Sequence, residues 1–439
     1  MTAPATAAPE NAAPESADTV SDLLDAVCPV PQDETVVILQ GGGALGAYQG
    51  GVLEGLLPAL EARGREIDWV VGTSIGAINA ALVAGNPPQQ RLERLHAFWD
   101  RVSQPDIESL SDNPWTRWAQ SWGSAWSQFL DLPATAQAPS PAPDAGGATP
   151  EQQLQATRQA LVTMARGVPG FFVPGTQTSS HLATLSPFIF NPDLPPEQVG
   201  VYDTSPLRET LLELVDFDWL NSPQAPRLTV TAVNIRTGQP AQFDSRHTRI
   251  GPEHIMASGA LPPGFPPVAV EGELYWDGGI YSNSPLDILL EDPARNNTLC
   301  FLVDLWDAKE EAPVNLAQTL RRAKDIQFAS RTCEQLRQYQ QLQSLRRGLA
   351  RLAEHLPDEV VMDPAMRELL GQACRHSTDI VHLTMDALPG DTQFKDIDFS
   401  QHTVRTRWDM GRADIARAMR ARRWRSENDD PLGLRIHAF

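Results

Sequence analysis

The sequence contains little lysine, little cysteine and no long hydrophobic segment. Lysine occurs at Lys309, Lys324 and Lys395 only, so almost all of the 35 basic residues are arginine. The four cysteines include no closely spaced pair, which is typical of a reducing compartment and argues against a disulfide framework or a zinc site. Every hydrophobic run is too short to cross a bilayer. These features favour a protein of the cytoplasm that needs no metal.

Acidic residues outnumber basic ones by 55 to 35, which gives a net charge of −20 and a pI near 4.8. A nucleic-acid partner is therefore not expected, because such proteins present a basic face. Apolar insertion into a membrane surface needs no net attraction, so peripheral contact with lipid stays open. Residues 1–33 are rich in alanine and proline and show no signal-peptide order, so we expect a disordered tail. Leaderless export stays open beside the cytoplasmic location.

The first part of the chain after this tail alternates between strand and helix patterns. The β-branched run Thr35–Leu39 predicts a buried strand, and Ala44–Arg63 has apolar residues at helical spacing. A second apolar run, Ile67–Val71, precedes a small-residue helix at Ile75–Ala84. Such alternation is typical of a parallel sheet with helices packed against it.

Shorter elements follow. We expect a strand at Leu228–Asn234 with a hairpin partner around Gln242–Asp244, a short helix at His254–Gly259, and strands at Leu274–Trp276 and Thr298–Asp304. These elements extend one α/β domain over residues 34–306.

Two further regions have distinctive compositions. Residues 114–130 carry four tryptophans spaced for one helix face, which predicts core packing or, alternatively, a lid that meets lipid. Residues 131–150 are rich in alanine and proline and predict a flexible insert. Residues 307–439 begin with a long amphipathic, arginine-rich pattern, so we expect a helical C-terminal extension and no further sheet.

The segment VVGTSIGAINAAL combines a strand, the pattern G-x-S-x-G and a helix. A tight strand-to-helix turn of this kind projects its serine, here Ser74, beyond the carboxyl edge of the sheet. Gly72 and Gly76 flank the turn because side chains there would clash with neighbouring elements. The helix that begins at Ile75 directs its amino-terminal dipole toward Ser74. The pattern predicts a nucleophilic serine.

The earlier stretch QGGGALG follows the first strand in the same way. Its glycines weakly match a dinucleotide-binding fingerprint, but the acidic partner required at the end of the second strand is missing. Because parallel strands end side by side, Gly41, Gly42 and Gly43 would instead offer backbone N–H groups to an oxyanion formed at Ser74, with Gly46 shaping the loop.

A nucleophilic serine needs a base. None of the nine histidines stands in a glycine-framed loop at a strand end, and we expect structural or surface roles for His181 and His254. Asp277 does stand in such a loop, LYWDGGIYSNSP, before Gly278 and Gly279. A carboxylate with an ordinary pKa near ~3.9 is a poor base for serine, so a preorganised oxyanion site would have to lower more of the barrier.

In these three motifs the chain resembles the patatin-like phospholipase family. The family has a glycine-rich oxyanion motif, a G-x-S-x-G turn and a D-G-G loop in this order, on a three-layer α/β/α sandwich with a mainly parallel sheet. The resemblance implies that Ser74 is the nucleophile, that Asp277 is the base without a histidine, and that Gly42 and Gly43 donate to the oxyanion. It implies hydrolysis of lipid esters through an acyl-enzyme and no cofactor.

Two alternatives stay open beside phospholipid hydrolysis. Many relatives have arginine or lysine where this chain has Leu45, so the substrate could instead be a neutral lipid or a polyester. A catalytically silent lipid-binding or interaction module is the other alternative.

Overall fold

The computed structural model describes residues 19–21, 23, 33–106, 150–175, 195–290, 292, 296–329, 332–421 and 433–439. The tryptophan-rich stretch, most of the 131–150 insert, His181 and most of the N-terminal tail lie outside these residues. Within the tail, Val20 and Leu23 are buried against Ala350 and Ala353. This short part of the expected disordered tail is therefore packed, because its apolar residues find a surface on the C-terminal segment.

The strands and helices have the following bounds. The strands are β1 Asp33–Leu39, β2 Trp69–Gly72, β3 Val173–Pro174, β4 Tyr202–Asp203, β5 Arg227–Asn234, β6 Pro240–Asp244, β7 Val268–Val270, β8 Glu273–Asp277, β9 Asn297–Asp304, β10 Thr378–Thr384 and β11 Leu434–Ala438. The helices are α1 Ala47–Glu61, α2 Ile75–Ala84, α3 Arg91–Val102, α4 Pro150–Arg166, α5 Ser205–Leu214, α6 Phe217–Leu220, α7 Pro252–Ser258, α8 Leu286–Leu290, α9 Leu316–Phe328, α10 Thr332–Ala353, α11 Pro364–Leu370 and α12 Gln401–Ala421. Short 3-10 turns include Gly43–Gly46 and Gly278–Ile280. None of the described helices has the length and apolar character needed to span a membrane.

One mixed sheet organises the chain, with strand order β11-β10-β9-β1-β2-β5-β8-β7 and with β6 also paired to β5. The strands from β11 to β5 are parallel, whereas β6, β7 and β8 are antiparallel to their neighbours. β3 and β4 form a separate two-stranded pair. The mainly parallel sheet expected from the strand–helix alternation is confirmed.

Both faces of this sheet are covered. Alternate residues of β1, such as Val37 and Val36, belong to two different apolar clusters. The first cluster includes side chains of α1, α2, α3 and α12, and the second includes side chains of α8 and α10. Strands buried on both faces read as continuous β-branched runs, as β1 does. The α/β/α sandwich is therefore confirmed.

The predicted elements around the motifs agree closely with the observed ones. Helix α2 spans Ile75–Ala84 as expected. The first helix differs slightly, because the expected start at Ala44 falls in the 3-10 turn Gly43–Gly46 and the α-helix proper begins at Ala47. Gly43 has a φ of 55°, a left-handed conformation that suits glycine and keeps the loop tight before the helix.

The C-terminal extension is mostly helical in its described part, but it also contributes two strands that the sequence analysis does not predict. β10 pairs in parallel with β9, and β11 pairs in parallel with β10. Ile380 and Val381 of β10 are fully buried, on opposite faces of the sheet. The expectation of no further sheet is corrected: without β10, the backbone of β9 would be an open edge.

We predict that replacing Ile380 with alanine lowers the free energy of unfolding by about 2–5 kcal/mol, the usual cost of truncating a buried aliphatic side chain. Urea denaturation followed by circular dichroism and tryptophan fluorescence measures the change. Leu345→Ala is the control, because Leu345 is 68% exposed. A separate, earlier transition confined to the C-terminal segment would contradict the view that β10 belongs to the common core.

Candidate active site

Ser74 lies in the turn between β2 and α2 and has φ 56° and ψ −123°. This conformation is strained for a residue with a Cβ, and the surrounding backbone leaves no room to relax. A Cβ at Gly72 would lie 2.4 Å from the Gly76 carbonyl oxygen, and a Cβ at Gly76 would lie 2.2 Å from the Leu39 carbonyl oxygen. The two glycines therefore let the turn close against β1 with the Ser74 side chain half-exposed at the sheet edge.

Two side chains from neighbouring elements fix this turn. The Ser74 N–H donates to Ser258 Oγ at 3.0 Å, and the hydroxyls of Thr73 and Thr231 are hydrogen-bonded at 2.7 Å. Ser258, the last residue of α7, is fully buried. The sequence analysis assigns no role to either partner, because each is distant in sequence and a serine or threonine carries little pattern by itself.

Asp277 ends β8 and is brought beside Ser74 by the register of the sheet, in which it pairs with Ala232 of β5. Its carboxylate accepts the Gly279 N–H at 2.7 Å, and it lies close enough to Ser74 for the serine side chain to lower its pKa. A Cβ at Gly278 would lie 2.3 Å from Thr231 Oγ1. The loop can therefore approach β5 only with glycine at this position.

Burial dominates the electrostatics of Asp277, which is 2% exposed. Desolvation raises the pKa of the Asp277 carboxyl to about 6, although the hydrogen bonds with Ser74 and the Gly279 N–H act in the opposite direction. A carboxylate of this basicity accepts a proton more readily than an exposed one.

The glycine-rich loop lies directly beside Ser74, since a Cβ at Gly41 would come within 3.1 Å of Ser74 Cβ. The Gly41 N–H is used internally and donates to the Asn283 carbonyl at 3.3 Å. In the described part of the chain, the N–H groups of Gly42 and Gly43 have no hydrogen-bond partner. Gly46 allows close packing on Ile75. The structure thus leaves two amides of this loop available to an anionic atom.

Asn283 connects the glycine-rich loop to the Asp277 loop. Its side-chain N–H groups donate to the Gly41 carbonyl at 2.9 Å and to the Phe328 carbonyl at 3.0 Å. The indole N–H of Trp306 donates to the same Gly41 carbonyl at 2.8 Å. Neither residue was identified from the sequence, although Asn283 stands within the quoted DGGIYSNSP motif. Asn283 is only 5% exposed, which is unusual for an asparagine.

The described histidines nearest these elements have other partners. His254 accepts the Gly251 N–H through Nδ1 at 2.9 Å, at the start of α7. His382 Nε2 lies 2.8 Å from Asp304 Oδ2, and Asp304 Oδ1 accepts the Ser284 hydroxyl at 3.0 Å. His254 therefore has the structural role expected for it.

No cluster of three or more potential metal ligands occurs within the described ranges of the chain. The assembled groups are a strained serine, a desolvated carboxylate and two unpartnered amides. They suit acyl transfer, in which a hydroxyl attacks a carbonyl carbon and amides stabilise the resulting oxyanion.

Comparison with known proteins gives one extensive match and several distant ones. A family model described as "Patatin-like phospholipase" matches residues 37–290, and a second described as "Patatin phospholipase" matches residues 326–431. The cGAMP-activated phospholipase of Escherichia coli (strain TW11681) is 32% identical over 106 residues, which cover 22% of this chain and 30% of that protein. The match therefore spans less than a third of that relative's length.

Among solved structures, VipD from Legionella pneumophila is 18% identical with a TM-score of 0.29, over 87% of this chain and 67% of VipD. Human GIVD cytosolic phospholipase A2 is 12% identical with a TM-score of 0.27, over 62% and 43% of the two chains. These scores are low, and the assignment comes from the sequence model, whose match covers more than half of the chain and includes Ser74 and Asp277. The chain belongs to the patatin-like phospholipase family.

Proposed function

We propose that the protein is a lipid acyl hydrolase that cleaves carboxylic esters through an acyl-enzyme on Ser74. The observation that carries this proposal is the placement of the buried Asp277 carboxylate beside Ser74, whose side chain lowers the pKa of that carboxyl, next to the Gly42 and Gly43 N–H groups, which have no partner among the described residues. A nucleophile, a base and an oxyanion site in one place satisfy the geometric requirements of acyl transfer.

In the acylation step, Ser74 Oγ attacks the ester carbonyl carbon and its proton passes to Asp277. The N–H groups of Gly42 and Gly43 receive the negative charge of the tetrahedral oxygen. The carbon–oxygen bond to the alcohol then breaks, and the departing alkoxide takes the proton from Asp277. The products of this step are the free alcohol and the acyl ester of Ser74.

Deacylation repeats this chemistry with water. Asp277 removes a proton from the water as its oxygen attacks the acyl carbonyl, and Ser74 leaves with that proton. The fatty acid is released and both side chains return to their initial protonation states. An ordinary carboxylate is a weak base for serine, but the raised pKa of Asp277 makes this carboxylate a stronger one. The ideal pKa of a catalytic base lies near the working pH.

The glycine-rich loop QGGGALG contains no lysine or arginine that could bind a phosphate head group. Leu45 is fully buried and presents no cation to a phosphate, which keeps neutral lipids and polyesters as candidates beside phospholipids. Release of fatty acid from phosphatidylcholine vesicles, trioleoylglycerol emulsions and polyhydroxybutyrate granules, compared under one condition, distinguishes these classes.

We predict that a long-chain fluorophosphonate labels Ser74 and that Ser74→Ala abolishes both labelling and ester hydrolysis while the protein stays folded. The nucleophile is then absent but the turn is intact. Peptide mass spectrometry locates the adduct, and circular dichroism checks folding. Ser205→Ala is the matched serine control, because Ser205 is an exposed residue of α5 whose hydroxyl donates to Asp203 Oδ1, and it should keep both labelling and turnover. Absence of any adduct on the natural protein would favour a silent lipid-binding module instead.

We predict that kcat/KM for an uncharged ester rises with pH through about 6 and is constant above it, because Asp277 acts only when ionised. Asp277→Asn should remove this dependence together with nearly all turnover. Initial rates between pH 4.5 and 8.5, with folding checked at each pH, provide the profile. A rate that stays constant down to pH 4.5 would contradict the role of Asp277 as base.

Burial of the ionised Asp277 carboxylate should also lower the free energy of unfolding at neutral pH. Its pKa is raised from 3.8 to about 6 on folding, so the native state binds more protons between these values and stability falls as pH rises through them. Asp277→Asn does not titrate, and its free energy of unfolding should gain up to about 3 kcal/mol relative to the natural protein between pH 4 and pH 7. Urea denaturation of both proteins at each pH tests this; a difference independent of pH would refute it.

A further inference from the structure

The loop between β10 and α12, residues 385–400, contacts the glycine-rich loop at Gly43 and Ala44. The Asp396 carbonyl accepts the Ala44 N–H at 2.8 Å. A Cβ at Gly43 would lie only 2.3 Å from the same carbonyl oxygen. We call residues 385–400 the brace loop. The backbone of the brace loop thus holds the Ala44 N–H and leaves no room beside the Gly43 Cα. The Gly43 N–H, the proposed oxyanion donor, belongs to the preceding peptide group.

Two crossed ion pairs attach the brace loop to helix α9. Lys324 of α9 lies 2.6 Å from Asp396 of the loop, and Lys395 of the loop lies 2.8 Å from Asp325 of α9. Lys324 also donates to the Gln393 carbonyl at 3.0 Å. Each element supplies one cation and one anion, and these two lysines are among only three in the chain. The two ion pairs therefore fix the loop at two neighbouring positions, Lys395 and Asp396, whereas a single ion pair would fix only one.

A third cation holds the brace loop from α12. Arg407 is fully buried, pairs with Asp391 at 2.9 Å and donates to the Lys395 carbonyl at 3.0 Å. Burying such charges is costly unless each is paired and hydrogen-bonded. Three cations form ion pairs that hold this one short loop, which indicates that the position of the brace loop has a role besides packing.

The same elements contact the glycine-rich loop by other routes. The ammonium groups of Lys324 and Lys395 lie 5.9 and 5.0 Å from the ring centroid of Trp306, whose N–H donates to the Gly41 carbonyl. Phe328, the last residue of α9, accepts from Asn283 through its carbonyl. The brace loop therefore contacts the glycine-rich loop directly at Gly43 and Ala44, and α9 and the two lysines reach Gly41 through Asn283 and Trp306.

We propose that the crossed ion pairs make the brace loop a positioning element, with Lys324 and Asp396 as positioning residues that set the direction of the Gly43 N–H. This proposal rests on the proposed acyl hydrolase function. A misdirected amide weakens stabilisation of the oxyanion but leaves the binding of the acyl chain unchanged. Loosening the brace loop should therefore lower kcat and leave KM nearly constant.

The test compares Lys324→Gln with Arg321→Gln. Arg321 lies on the same helix and pairs with Glu310, away from the brace loop, so its variant controls for loss of an ion pair on α9. The Lys324 side chain is 25% exposed and that of Lys395 only 4%, so we expect Lys324 to tolerate substitution better. We expect Lys324→Gln to lower kcat about 10- to 100-fold, with KM within about 2-fold, since small misplacements of catalytic groups have effects of this size. Thermal midpoints of the two variants should agree.

Two further variants sharpen the result. Asp396→Asn should give the same loss of kcat, and the double variant should be no worse than either single one, because both remove one interaction. Lys324→Arg retains the charge and should restore most of the turnover. A kcat of Lys324→Gln equal to that of Arg321→Gln, or an effect on KM alone, would overturn the positioning role while the hydrolase function stands. A natural protein without turnover or Ser74 labelling would instead refute the proposed function and the positioning role with it.

Discussion

Strand β1 and the turn that carries Ser74 meet backbone to backbone, with the Leu39 carbonyl only 2.2 Å from where a Cβ of Gly76 would stand. A Cβ at Gly41 would also come within 3.1 Å of the Ser74 Cβ. Side chains at these positions would separate the glycine-rich loop from the nucleophile by the width of a methyl group. Preorganised amides stabilise an oxyanion only at about 3 Å, so the remaining parts of the site depend on this close approach.

Asp277 illustrates the cost of such a site. Its carboxylate is buried and desolvated, and no described cation pairs with it, so its pKa rises to about 6. The same burial that makes the group a usable base opposes its ionisation and thereby opposes folding at neutral pH. The φ of 56° at Ser74 adds backbone strain at the neighbouring residue. Both penalties fall on the proposed nucleophile and base, and the apolar packing on both faces of the sheet has to offset them.

The sequence predicted the parts of the site whose signal is local. Ser74 and the glycines around it are recognisable because a tight turn restricts residue type at neighbouring positions, and Asp277 precedes two glycines for the same reason. Ser258, Asn283 and Trp306 were not predicted, since each acts through one hydrogen bond to a partner far along the chain. Strands β10 and β11 were missed because their roles, covering the edges of β9 and of β10, exist only after the sheet has formed. The five residues of β8 also gave no indication that this strand runs antiparallel to β5.

These distant contacts join the regions matched by two separate family models at one edge of the sheet, where the candidate site lies. His382 on β10 holds Asp304, which accepts Ser284, and the adjacent Asn283 supports Gly41. From the other direction, Asp396 accepts the amide of Ala44. The region of residues 326–431 therefore reaches the glycine-rich loop both through the end of β9 and through the brace loop. An appended domain would share a small, separable interface with the catalytic part, whereas here the sheet is continuous and the backbone of the oxyanion loop is bonded on both sides. The C-terminal segment is thus a structural component of the candidate active site.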